Sequence, residues 1–137
     1  MGRSRYSSRR ERPSPQAEIT AQLGLLKDLV NDPVALRATA VEFIQHASSL
    51  EVTRAAIVTL QGMNDPANRD VLHRRYEVSG EKNDSGGFIR AAIVRALQPI
   101  VSVDDRPLLM RALNTYQMQG MYEISAELRT AALIAMN

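Results

Sequence analysis

The chain has 137 residues, of which 45% are hydrophobic and 4% aromatic, with no Cys and no Trp. That length suits one domain with a modest core. The lack of Cys excludes disulfides and thiolate chemistry and makes the cytoplasm the expected compartment. The formal net charge is +2, but residues 1–15 hold Arg3, Arg5, Arg9, Arg10 and Arg12 against Glu11, a formal +4, so residues 16–137 carry −2. No apolar run approaches the roughly 18 residues that a membrane helix needs.

Residues 1–15 are rich in Arg, Ser and Pro, with Tyr6 as the one aromatic. Such a stretch buries too little apolar surface to fold alone. It reads as a disordered basic tail, 1–15, ahead of a folded unit, 16–137. Two roles stay open for it: a solubilising end, or an electrostatic arm on phosphate, acidic protein or anionic lipid. Arg9-Arg10 lacks the apolar stretch of an export signal, and Tyr6 stands where a myristoylation motif wants Ser or Thr.

Ile19, Leu23, Leu26 and Val30 recur at spacings of three and four and predict a helix over 16–30. Asn31-Asp32-Pro33 and Asp65-Pro66 each read as a cap followed by Pro in the first turn, opening helices over 33–47 and 66–78. A helix over 50–62 lies between them. Ser79–Gly87 is a loop whose Gly spacing fits no phosphate-binding motif. The fifth helix begins at Phe88 and ends near Pro99. Asp104 or Asp105 is expected to cap the sixth, with Leu108, Leu109, Ala112, Leu113 and Tyr116 on its buried side. Met118–Tyr122 ends it, and a last helix runs from about Ser125 onward. The apolar Leu133, Ile134 and Met136 leave that helix three readings: part of a longer array, a contact for self-association, or a helix buried on the sixth.

One pattern recurs along these helices. An apolar residue and Arg are followed by small and bulky apolar residues at fixed offsets. Ile89, Arg90, Ile93, Val94, Ala96 and Leu97 fill it, and so do Leu128, Arg129, Ala132, Leu133, Ala135 and Met136. Leu36, Arg37, Ala40, Val41, Phe43 and Ile44 fill it again. The segment from Thr53 to Leu60 is a looser copy around Arg54, its Leu one place early. Arg54 to Arg90 is 36 positions and Arg90 to Arg129 is 39, periods of the size found in helical repeat arrays.

On these copies the chain, over about 17–137, resembles the HEAT-repeat family, including the shorter HEAT-like repeats of phycobilin lyases. The resemblance implies an all-α fold, an α-α superhelix of about three helical-hairpin repeats with an extra N-terminal helix. In that family an acid in the turn, six places before the arginine, forms a ladder between neighbouring repeats. Asp84 before Arg90 and Glu123 before Arg129 fit; Ser48 before Arg54 leaves that rung without its acid. The family's second helices line a groove for partners. That implies Ala56, Ala92 and Ala131 at one offset, and Thr59, Arg95 and Ile134 at another, as partner-facing positions.

Catalytic chemistry is not legible. His46 and His73 fall on different helices with no carboxylate at ligand spacing. Adjacent Asp104 and Asp105 would point about 100° apart on a helix. No catalytic, cofactor or metal residue is assigned. The expected function is a non-enzymatic scaffold or adaptor that binds another protein, with no membrane partner. The alternative is a nucleic-acid-associated protein that uses the basic N-terminal arm. Fold does not choose between them.

Overall fold

A computed structural model describes residues 14–137; the five arginines of the expected tail lie outside them. The described chain is mostly helical and all-α in class, with seven α-helices. They are α1 (Pro15–Asp28), α2 (Pro33–His46), α3 (Leu50–Met63), α4 (Arg69–Glu77), α5 (Phe88–Leu97), α6 (Arg106–Leu113) and α7 (Ala126–Met136).

The starts follow from local chemistry. The first amides of a helix have no intrahelical acceptor, so a side-chain oxygen before them stabilises the start. Ser14 Oγ accepts from Ala17 N at 3.1 Å, and Asp32 Oδ1 accepts from Ala35 N at 3.2 Å. Pro15 and Pro33 then fill the first helical position, where no donor is needed. Helix α1 therefore begins inside the stretch expected as tail. Asp65 Oδ1 accepts from Ala67 N at 2.9 Å, but it caps a 3-10 turn, Pro66–Asn68, that leads into α4. The α3 helix ends on Asn64, whose φ of 51° is the left-handed conformation that closes many helices.

Two expectations in the last third are corrected. Asp105, one of the two expected caps, stands just before α6 but bonds none of that helix's amides through its side chain. Ser102 instead caps the 3-10 turn Val103–Asp105 that leads into α6, accepting from Asp104 N at 3.2 Å, while Asp105 Oδ2 accepts from Ser102 N at 2.9 Å. The chain after α6 also does not simply end a helix. It forms a two-stranded antiparallel hairpin, β1 (Met118–Gln119) and β2 (Tyr122–Glu123), turning at Gly120 with φ 62°. Tyr116, expected on the buried side of α6, lies outside it and is 65% exposed.

Helices α2 and α3, α4 and α5, and α6 and α7 pack as neighbours in sequence. Across these pairs, α1 packs on α3, α3 on α5, α5 on α7, and α2 on α4. One apolar core runs through all of them, from Leu26 through Ile57, Leu72 and Ile93 to Leu128. Burying such a side chain contributes about 1.5–3 kcal/mol. Helix α5 sits in the middle: from Ile89 to Leu97 every residue but Arg95 is buried.

The buried positions set a register of their own. Ile89, Arg90, Ile93, Val94 and Leu97 of α5 are buried, and so are Val52, Thr53, Ala56, Ile57 and Leu60 of α3. Thr53, not Arg54, therefore occupies the place of Arg90. Its hydroxyl donates to Ser49 O at 3.1 Å, while Arg54 is exposed. The early Leu of that copy was the sign of a one-residue slip.

Candidate functional site

The expected acid–arginine pairs form, but each closes its own turn. Arg90 Nε donates to Asp84 Oδ2 at 3.0 Å, and its Nη2 donates to Asp84 O at 3.1 Å. Asp84 also accepts from the amides of Ile89 and Arg90, at 2.8 and 3.0 Å, so one buried carboxylate caps α5 and holds its arginine. Arg129 Nη1 lies 3.0 Å from Glu123 Oε2 and stacks 4.0 Å over the Tyr116 ring. The ion pair with Arg129, with hydrogen bonds from Ser125 and the Gln117 amide, holds the Glu123 carboxyl well below the usual carboxylate range. These pairs staple a turn to the helix after it. Arg54 has no hydrogen-bond or ion-pair partner among the described residues.

The bonds that join one helical pair to the next come from other residues. Arg37 Nε donates to Asn68 Oδ1 at 2.7 Å, and its Nη2 to Ala67 O at 3.2 Å, tying α2 to the start of α4. Arg69 Nε donates to Asp105 Oδ1 at 3.0 Å, and its Nη2 reaches Ile100 O, tying α4 to the start of α6. His73, expected on a rim with no carboxylate, lies with Nε2 2.6 Å from the same Asp105 oxygen. Burial raises the Asp105 carboxyl. Hydrogen bonds from His73, the Ser102 amide and Arg69, with the Arg69 charge, outweigh it and hold the group below its ordinary value. Arg95 pairs with Glu127, joining α5 to α7, and Arg111 Nη1 donates to Glu77 Oε2 at 3.0 Å, joining α6 to α4.

The positions expected to face a partner separate into two kinds. Ala56, Ala92 and Ala131 are buried, so their small size serves close helix packing and offers nothing to a partner. Arg95 is half-buried in its pair with Glu127, and Ile134 is exposed at the far end. Thr59 lines a hollow of about 740 Å³ between α1 and α3. Leu23, Leu26 and Val30 form one wall, Ala55 and Val58 the other, and Lys27 is its charged residue. Val30 and Val58 are more than half exposed there. Val58 is a large apolar residue that the core register leaves outside; Val30, expected on the apolar face of the first helix, lies past its end at Asp28 and is 64% exposed.

A second hollow, about 490 Å³, lies between α2 and α4, where His46, Arg74 and Arg75 surround Ile44, Val71 and Val78. Arg75 Nη1 is already used on Ser79 Oγ at 2.9 Å. Among the described residues no three His, Asp or Glu side chains converge as metal ligands, and no helix is long and apolar enough to cross a membrane. Comparison of the chain with family models, curated proteins and solved structures gives no match.

Proposed function

We propose that this protein is a non-enzymatic interaction module, a HEAT-like superhelix of three helical hairpins behind an extra first helix. It takes an apolar helical segment of another protein, in the cytoplasm, in the groove between α1 and α3. The groove carries the reading: it is large enough for a row of side chains, its walls are apolar, and its valines face water in the free protein. Recognition of an amphipathic helix by an apolar groove rests on a few such anchors. Lys27 at its edge favours an acid on the incoming helix.

The alternating packing of the odd helices and the buried arginine of α5 and its capping acid support the HEAT-like reading. The uneven charge supports a second role, phosphate binding by Arg3, Arg5, Arg9, Arg10 and Arg12. One experiment separates the two. The full chain, a Val58→Asp variant and a chain starting at the capping Ser14 are immobilised and eluted with rising salt. A protein retained by the full and shortened chains and lost with Val58→Asp supports the groove. Retention that survives Val58→Asp sinks it. Nucleic acid held only by the full chain, and released steeply with salt, assigns that binding to the arm.

A further inference from the structure

We propose that the hollow between α2 and α4 is a binding site for a small amphipathic anion, a carboxylate carried on an apolar body. The case begins with charge. Arg69, Arg90, Arg95, Arg111 and Arg129 each reach a carboxylate. Arg74 and Arg75, side by side in the last turn of α4, reach none among the described residues. Arg74 is exposed and makes no hydrogen bond there; Asp70 and Asp104 border its other side without pairing with it. Arg75 is half-buried. Its Nη1 donates to Ser79 Oγ at 2.9 Å, and that hydroxyl donates to Arg75 O at 2.8 Å. The guanidinium is thereby held in place, while its Nε and Nη2 have no acceptor among the described residues.

Both arginines line the hollow, and His46, in the last turn of α2, lines it with them. No Asp or Glu of the described residues does. Two guanidiniums in one hollow repel each other, and an anion between them removes that cost. A carboxylate suits the place, because a guanidinium takes it through two parallel N–H donors.

The apolar side of the ligand is read from the floor. Ile44 and Val71 are 2% and 5% exposed and form the base, while Val78, just past the end of α4, is 63% exposed at the mouth. Cations in a last turn also complement the helix dipole. That role needs only water around them and leaves a large apolar residue at the mouth unexplained. The volume of about 490 Å³ falls within the roughly 300–1,000 Å³ of small-molecule sites. The lining comes from two helix ends and offers no row of anchors, which a helical segment would need.

An NMR titration of the full chain with octanoate tests this. Saturable shifts are expected at the methyls of Ile44, Val71 and Val78, with those of Val30 and Val58 unmoved. Hexanoate, with two methylenes fewer, should bind roughly tenfold more weakly. Octanol, which keeps the body and loses the charge, should also bind about tenfold more weakly, as should octanoate to Arg74→Gln or to Arg75→Gln. Arg74 holds nothing in the fold, so the Arg74→Gln spectrum without ligand should match the parent's outside α4. Absence of saturable shifts at millimolar octanoate overturns the proposal. So do shifts confined to Val30 and Val58, octanol binding as tightly as octanoate, or an affinity indifferent to Arg74→Gln.

Discussion

Through one carboxylate, Asp105 receives Arg69 and His73 of α4 and the amide of Ser102, and it is 0% exposed. These donors favour the charged form, and together they outweigh the burial that opposes it. The folded pKa is thus below the unfolded value of about 3.9. A group depressed on folding contributes stability above its unfolded pKa and loses it as pH falls through that value toward the folded one. Glu123, held low by Arg129, Ser125 and Gln117, acts with the same sign. Asp105→Asn keeps the shape and removes the charge. It should cost about 3 kcal/mol near neutral pH, as expected when a buried pair loses one partner. It should also flatten the loss of melting temperature between about pH 5 and pH 2. Melting curves of the two proteins that run parallel in pH would contradict the assignment. In the sequence Asp105 was visible only as one of two candidate caps. Its partners lie 32 and 36 residues away, and their meeting depends on how α4 and α6 are spaced, which no local pattern carries.

At the scale of the helices, the sequence was most legible where spacing and packing share one cause. The apolar period that places Ile89, Ile93 and Leu97 on one face also buries them, and the two acids six residues before Arg90 and Arg129 do reach their arginines. It misled at α3, where aligning Arg54 with Arg90 hid that Thr53 takes the buried place. It was silent on the bonds between pairs: Arg37 fills the recurring pattern yet bonds onward to Asn68 and Ala67, and Arg69 stands outside the pattern. Those bonds are also unequal. Asp105 uses both oxygens, whereas Asn68 leaves Nδ2 buried without a partner. Asn68→Asp should remove that orphan donor and give Arg37 a charged acceptor. It also sets an acid in the first turn of a helix, where the dipole favours it. The expected gain is about 1 kcal/mol in thermal or denaturant unfolding at neutral pH. In an Arg37→Ala background the gain should vanish, since the coupling between the two sites is what the substitution strengthens. A loss of stability, or a gain untouched by Arg37→Ala, would refute the bond as drawn.

For the molecule as a whole, the helical class followed from periodicity, while the two-residue strands of β1 and β2 were too short to show any alternation. What the sequence could not give was the ranking of helices by how well they are enclosed. Helix α5 packs on α3, α4 and α7, whereas α1 packs on α3 and lightly on α2. Local opening costs least where few apolar contacts are broken. Amide exchange should therefore be slowest in α5, next in α3, and fastest in α1 and the hairpin at Met118–Glu123. The order bears on the groove, since α1 is one of its walls. A wall that opens separately from the core can adjust to an incoming helix without disturbing α5. An apolar helical ligand seated there should then slow exchange in α1 far more than in α5. If α1 already exchanges as slowly as α5 in the free protein, the two open as one unit. A helix bound there as proposed would then meet a rigid slot, and side-chain fit at Leu23, Val30 and Val58 alone would govern what binds.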